Sequence, residues 1–329
     1  MNMNDVLKYC YNVIRRDGKS WRPFISYFYL TYDCNFRCSY CSDGYENPYY
    51  KHAPEGDLPA EKAVEIMKIL NRTVNYAIIT GGEPLKYKHY DYFIRETARL
   101  KFKRLALTTN GYYLDKYLEP TLSSVDNLII SVDTMNSQKA NSIFGTGDGT
   151  FERVIENIKM ATEANKNKKC LITISSVTTP DNIDDQYEVC EFAHSIGAQF
   201  TTSPQLVGVK PNPGLIGNEK YLELFNYLIR KRKKADIFGT KKYLEAMRDL
   251  KKFTCYPFAM LGISQLGEIF YPCPEIGTKT SNILDITDLK EAKSEGKRLH
   301  GRIPDCDNRC HSCCALIFSL MLDWKMGVF

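Results

Sequence analysis

Six short runs rich in β-branched and aromatic residues recur along the chain: Ile25 to Thr31, Tyr76 to Thr80, Arg104 to Thr109, Asn127 to Val132, Leu171 to Val177 and Gln199 to Ser203. Each has the length of a buried strand. Amphipathic stretches lie between them, among them Pro59 to Arg72, Tyr87 to Leu100, Phe151 to Asn165 and Ile183 to Ile196. Strand and helix alternate throughout, so the sheet is expected to be parallel and its crossovers right-handed. Six such units fall short of the eight that close a TIM barrel. In parallel α/β sheets ligands bind at the carboxyl ends of the strands, so the residues that follow each run carry the functional argument.

The chain has 329 residues with ordinary globular composition, 43% apolar and 25% charged, enough for one large core or two modest ones. Its first residues lack the basic region and apolar run of a secretory signal. The longest apolar stretch, Ala315 to Leu322, is far shorter than the roughly 20 residues that span a bilayer. No membrane span and a cytoplasmic location are therefore expected, where 12 cysteines serve as metal ligands or catalytic groups rather than as a disulfide framework. A net charge of +5 is too slight to indicate nucleic acid. The densest basic run, Arg230 to Lys234, ends a helical pattern that begins near Glu219, and cations there complement the helix dipole.

Directly after the first strand comes Tyr32-Asp33-Cys34-Asn35-Phe36-Arg37-Cys38-Ser39-Tyr40-Cys41. Three thiolates on one short loop can hold three irons of a [4Fe-4S] cluster, which leaves the fourth iron without a protein ligand. An open coordination position distinguishes a metal site that does chemistry from one that only holds a fold. The second run ends in Thr80-Gly81-Gly82-Glu83-Pro84, where two residues without a Cβ allow close approach of the backbone to a ligand and Pro84 biases Glu83 towards an extended conformation. The third ends in Thr109-Asn110 and the fourth in Ser131-Val132-Asp133, polar clusters that serve equally as ligand contacts or as helix caps.

The triplet with Tyr40 before its last cysteine, followed about 40 residues later by Gly81-Gly82-Glu83-Pro84, resembles the radical S-adenosylmethionine (radical SAM) superfamily. The resemblance implies an α/β partial (β/α)6 TIM-like barrel over residues 22–203. It also implies an S-adenosylmethionine-chelated [4Fe-4S] cluster on Cys34, Cys38 and Cys41 and a flavodoxin or ferredoxin-type electron donor. Reductive cleavage to a 5′-deoxyadenosyl radical, which then removes hydrogen from the substrate, is the implied chemistry. By the same resemblance Gly81 to Glu83 meet the methionyl amino group, while Ser131 and Asp133 meet its carboxylate or the ribose. Tyr40, Thr109, Asn110 and Ser175 complete the expected cofactor-binding set. At Ser175-Ser176 the chain departs from a glycine-rich adenine motif, so the adenine contacts stay unassigned.

A second set, Cys306-x3-Cys310-x2-Cys313, repeats the spacing near the C-terminus. Only 16 residues follow it, too few for a barrel, and Ser312 replaces the aromatic. Upstream, Cys255 and Cys273 flank Ile263 to Phe270, which reads as a hairpin around Gly267 and so brings the two cysteines together. This region, 253–329, resembles the twitch or SPASM-type auxiliary domains of radical SAM enzymes. Two clusters need eight cysteines and six are present counting Cys314, so one auxiliary [4Fe-4S] cluster is expected, on Cys255, Cys273, Cys310 and Cys313 with Cys306 as substitute. A tetrahedral zinc site uses the same residue types.

An N-terminal helix over Asp5 to Arg16 within 1–21 and a Pro- and Gly-rich boundary at 204–217 opening a linker with two helices to 252 complete the expected organisation. Cys10, Cys170 and Cys190 are read as structural, Cys306 or Cys314 as a hydrogen-atom donor if not a ligand, and the five histidines as surface or capping residues. Tyr45 to Tyr50 either cover substrate or pack as a loop, and the tail Ala315 to Phe329 is expected to pack in the core rather than to line a channel. The substrate is a small molecule or cofactor precursor undergoing dehydrogenation or bond formation, with a ribosomal peptide as the alternative. The short chain ahead of the barrel is too little for a separate leader-binding domain and tilts towards a small molecule or a directly recognised peptide. The opposing class is an iron–sulfur electron carrier or a zinc-binding module without catalysis.

Overall fold

A computed structural model describes residues 23–42, 46–167, 169–301 and 310–322. The expected N-terminal helix with Cys10, and also Tyr45, Cys306 and Trp324, lie outside the described residues. Six parallel strands run in sequence order: β1 (Ile25–Thr31), β2 (Tyr76–Gly81), β3 (Arg104–Thr109), β4 (Asn127–Ser131), β5 (Leu171–Thr178) and β6 (Gln199–Pro204). Between them lie α1 (Ala60–Thr73), α2 (Tyr90–Arg99), α3 (Leu114–Ser124), α4 (Ser137–Phe144), α5 (Thr150–Ala164) and α6 (Asp185–Ser195). The fold is α/β with the parallel sheet of a partial TIM-like barrel.

One face of the sheet is sealed. Phe28, Ile79, Leu107, Leu128, Ile130 and Ile174 are buried beneath the helices, Phe28 against Phe93 of α2 at 6.2 Å between ring centroids. The alternate residues point to the other face, and towards the carboxyl ends they carry hydroxyls. Ser131, Ser175 and Thr201 stand side by side in register across β4, β5 and β6.

An open barrel has two unpaired edges, and an unpaired edge is a liability that folds cover. Both are covered here by chain beyond the six units. At the β6 edge, after a small ribbon of β7 (Leu206–Val207) and β8 (Lys210–Pro211) and helix α7 (Glu219–Lys231), the backbone returns to Phe200. There Phe200 N–H donates to Asp236 O at 2.8 Å and Phe238 N–H to Phe200 O at 2.8 Å. The Pro- and Gly-rich stretch read as a boundary thus contains paired backbone, because its turns fold it back on itself. Helix α8 (Lys241–Asp249) packs on α7.

At the other edge the expected hairpin forms from β9 (Met260–Ile263) and β10 (Glu268–Phe270), with β11 (Lys279–Asn282) outside it. It does not stand apart. β9 pairs parallel with β1 from Ile25↔Met260 to Phe28↔Ile263, so one nine-stranded sheet runs β11-β10-β9-β1-β2-β3-β4-β5-β6. Helix α9 (Leu289–His300) packs on β11, and α10 (Cys313–Leu322) is apolar all round and buried, with Phe318 against Phe24 at 5.2 Å. Residues 315–322 of the tail are therefore core, as expected of an apolar helix without a polar face. His311, expected at the surface, is buried beside Phe253, carried inward by the entry into α10.

Leu261 of β9 is fully buried where the hairpin joins β1. Leu261→Ala should lower unfolding free energy by about 2–5 kcal/mol in denaturant titration, with loss spread over barrel and hairpin probes alike.

Candidate active site

The cysteine loop leaves β1 at Thr31 and is tied to four other strand or helix ends. At β2, Gly82 N–H donates to Thr31 O at 2.7 Å and Glu83 N–H to Asp33 O at 2.8 Å. A Cβ on Gly81, whose φ is +139°, would meet Thr31 O at 2.2 Å, and one on Gly82 would meet Asp33 O at 2.4 Å. The close approach that these glycines permit is therefore to the backbone of the cysteine loop itself. Pro84 is buried and Glu83 is extended, φ −122° and ψ 105°, as a residue before proline should be.

Glu83 is fully buried and its carboxylate joins its own turn to the end of β3. Oε1 accepts from Leu85 N–H at 3.0 Å and from the Thr109 hydroxyl at 2.7 Å, and Oε2 accepts from Asn110 N–H at 2.7 Å. Burial pushes its pKa up to about 7, and the three donors oppose that rise. Thr109 is buried too, its hydroxyl also accepting from Gly111 N–H at 3.1 Å, so it holds Glu83 instead of facing a ligand. Asn110 reaches the loop directly. Its Nδ2 donates to Asn35 Oδ1 at 2.9 Å and lies 3.9 Å from Cys34 Sγ, which also accepts from Phe36 N–H at 3.3 Å.

On the far side Phe36 stacks on Phe144 of α4, 4.4 Å between centroids, and Arg37 N–H donates to Phe144 O at 2.7 Å. Tyr40, the aromatic of the triplet, donates its hydroxyl to Asp133 Oδ2 beyond β4. Asp133 Oδ1 accepts from Val177 N–H at 2.7 Å and from Ser176 Oγ at 3.3 Å, and Gln186 Nε2 donates to Asp133 O at 3.0 Å. Asp133 is thus no helix cap. It bridges β4, β5 and the cysteine loop, with its pKa raised by burial against the donors. Ser131 and Ser175, half-buried and in register, face the same space.

Cys34, Cys38 and Cys41 are all free thiols, partly accessible. Burial pushes Cys34 up to about 12 and Cys41 to about 11, and Cys38 rises further as its neighbouring thiols and Asp133 add to burial. At neutral pH each keeps its proton until a metal displaces it. Among the described residues no three Cys, His, Asp or Glu side chains converge as ligands of one ion would. Three thiols spaced along a pinned loop, with N–H donors on Cys34 Sγ, fit a multi-iron cluster, in which each sulfur binds its own iron and N–H groups support the thiolate.

A second thiol set lies across an aromatic wall. Cys255, Cys273 and Cys310 line one cavity of about 150 Å³ with Met260, Ile276 and Glu275. Cys313 and Cys314, at the start of α10, do not line it; they are free thiols beside each other, near Tyr243 and Tyr27. The wall is Tyr29, Tyr32, Tyr49 and Phe270, with Tyr29 5.7 Å from Tyr49 and 5.4 Å from Phe270 between ring centroids. Tyr49 of the loop after the triplet is thus packed inward. Tyr27 and Tyr29 went unremarked in the sequence, although their two-residue spacing on β1 signals a shared face.

Cys170 and Cys190 are buried, as structural thiols are. His52 pairs with Glu55 at 2.9 Å and His300 meets Lys279 O at 2.7 Å, neither near the thiols of a shared ligand set. Among the described residues no helix is long and apolar enough to cross a membrane.

Two outcomes follow for the apoprotein. Tyr40→Phe leaves the buried Asp133 carboxylate without one donor and should cost about 1–3 kcal/mol in denaturant titration. Glu83 holds a proton in the folded state between pH 4.5 and about 7 that the unfolded chain releases, so its contribution to stability is full below 4.5 and lost as pH rises through 7. The fall in melting temperature over that interval should be shallower in Glu83→Gln.

Comparison with known proteins agrees with this geometry. The chain is 32% identical over 198 residues to a probable GTP 3′,8-cyclase of Archaeoglobus fulgidus, covering 58% of this chain and 61% of that protein. It is 33% identical over 174 residues to a GTP 3′,8-cyclase of Aliarcobacter butzleri, 51% of each. The chain thus matches between half and three fifths of the length of these relatives. Among solved structures, Streptococcus suis SuiB bound to S-adenosylmethionine aligns with TM-score 0.65 at 16% identity, over 89% of this chain and 71% of that one, a likeness of fold. Residues 28–193, from within β1 to within α6, match the Radical SAM superfamily, and the chain belongs to that superfamily of [4Fe-4S] and S-adenosylmethionine enzymes.

Proposed function

We propose that Cys34, Cys38 and Cys41 each hold one iron of the radical SAM cluster and leave the fourth for S-adenosylmethionine. The observation that carries this is the anchoring of the triplet loop, through Gly82, Glu83, Asn110, Phe144 and Asp133, to the carboxyl ends of the strands and to α4. Bound there, cluster and cosubstrate supply a 5′-deoxyadenosyl radical on one-electron reduction, the electron coming from a flavodoxin or ferredoxin-type donor in the reducing cytoplasm.

The chain's own residues do the positioning. The Gly81-Gly82-Glu83 backbone sets the height of the loop above the sheet, and Glu83 fixes the β3 end against it without itself facing the ligand. The row Ser131, Ser175 and Thr201 presents hydroxyls to the ribose and carboxylate of S-adenosylmethionine. The Tyr29, Tyr32, Tyr49 and Phe270 wall keeps water from the space above, where a carbon radical needs it excluded.

The second set, Cys255, Cys273 and Cys310 with Cys313 turned from its present neighbours, holds one auxiliary [4Fe-4S] cluster that accepts an electron from, or binds, the substrate. The hairpin on β1 ties Cys273, which follows it, to the same sheet that carries the first set. The substrate in this reading is a small organic molecule whose hydrogen is removed during dehydrogenation or bond formation. The names of the curated relatives, cyclases of a nucleotide, support a small-molecule or cofactor-precursor reaction of this kind.

Anaerobically reconstituted protein with dithionite should convert S-adenosylmethionine to 5′-deoxyadenosine, and Cys38→Ala should abolish conversion while leaving the EPR signal of the auxiliary cluster. Turnover persisting in Cys38→Ala would refute the assignment of the triplet. A single cluster in the wild type would refute the auxiliary site alone.

A further inference from the structure

We propose that the side-chain amide of Asn110 tunes the reduction potential of the radical SAM cluster by donating to the sulfur of Cys34. This rests on the placement of that cluster on the cysteine triplet in the proposed function.

The orientation of the amide is settled by its surroundings. Asn110 Oδ1 accepts from Tyr112 N–H at 3.0 Å, so Nδ2 faces the cysteine loop. Its two hydrogens find two acceptors there, Asn35 Oδ1 at 2.9 Å and Cys34 Sγ at 3.9 Å. The backbone holds the residue from behind. Asn110 N–H donates to Oε2 of the buried Glu83 at 2.7 Å, so Asn110 cannot turn away without stripping a donor from a buried carboxylate. Among the described residues no other side chain donates to a sulfur of the triplet. The second donor on Cys34 Sγ is Phe36 N–H of the loop itself, at 3.3 Å.

A neutral thiol is a weak acceptor, and 3.9 Å is the outer reach of an N–H···S bond. A thiolate on iron is charged, and hydrogen bonds to charged acceptors are shorter and stronger. Uptake of one electron, from dithionite or from the protein donor, adds negative charge that the ligand sulfurs share, with no bond made or broken. A donor on one of those sulfurs therefore stabilises the reduced state more than the oxidised one, and hydrogen bonds to sulfur are among the factors that set the potential of such clusters. Reductive cleavage of S-adenosylmethionine begins with that electron. Loss of the Asn110 amide makes it harder to deliver.

The test is an EPR-monitored redox titration of the full-length protein carrying both clusters, the signal of the triplet being the one that Cys38→Ala removes. In Asn110→Ala the oxidised form should outweigh the reduced about tenfold at the wild-type midpoint, a fall of about 59 mV for a one-electron couple. Asn110→Asp, of the same shape but with a negative charge in place of the donor, should fall at least as far. Asn35→Ala cuts the other contact of the amide with the loop and leaves the bond to sulfur, so its oxidised-to-reduced ratio should stay within about threefold of wild type. In protein carrying ¹⁵N in its asparagine side-chain amides, pulsed EPR of the reduced triplet signal should show a nitrogen coupling that persists in Asn35→Ala. A change under about threefold in Asn110→Ala overturns the proposal. An equal change in Asn35→Ala also overturns it, since Asn110 would then only support the loop. If the Asn110 variants fail to assemble the cluster, the coupling decides: its absence in the wild type, or its loss in Asn35→Ala, overturns the proposal. A spectrum from which Cys38→Ala removes nothing would instead sink the assignment of the triplet, a result separate from an unmoved potential.

Discussion

Two missing Cβ atoms govern this molecule. Where β2 ends, Gly81 and Gly82 lie so close to the backbone of Thr31 to Asp33 that any side chain would overlap a carbonyl oxygen by about an ångström. That contact lets two N–H groups of the β2 end grip the root of the cysteine loop, and it brings Glu83 into the position from which it holds Thr109 and Asn110. Asn110 then reaches Asn35 and Cys34. The loop's geometry is thus inherited from strand register, the stiffest feature of a parallel sheet, and not from the loop's own weak preferences.

The same strand that launches the first cysteines also seats the second set. β1 pairs with β2 on one edge and with β9 on the other, and β9 leads through the hairpin to Cys273. Both thiol sets are therefore referenced to a single seven-residue strand. The gap between them is spanned by Tyr29, a residue of that strand, together with Tyr49 from the loop and Phe270 from the hairpin. Edge covering, which a half-open barrel needs in any case, here doubles as the means of fixing one site relative to another.

The sheet was readable from sequence because all six strands carry β-branched runs bounded by helical periodicity, and the observed ends differ by no more than one residue at any of them. Helices α3 and α4 were not foreseen. α3 contains Pro120 and a non-helical Tyr117, and α4 is eight residues long, so neither displays a sustained apolar stripe. The pairing of β9 with β1 was also illegible, since a hairpin's local pattern says nothing about which distant edge it will join. At the site, the triplet and Gly81 to Glu83 were plain because each is a contiguous motif. What Glu83, Thr109 and Asp133 do was not: their side chains face one another across strand ends, and spacing along the chain is silent about that. Asp133 illustrates the difficulty, being a ligand contact or a cap in sequence and a bridge between Tyr40, Ser176 and Val177 in space.

Burial and hydrogen bonding say more than motif membership about what the carboxylates of this site do. Glu83 lies in the most recognisable motif, yet its oxygens are occupied by three donors from its own turn and the β3 end, which is the signature of a group retained to hold strand ends together. Asp133 follows the same logic with Tyr40 among its donors, so the aromatic before the third cysteine acts as a tether for the loop.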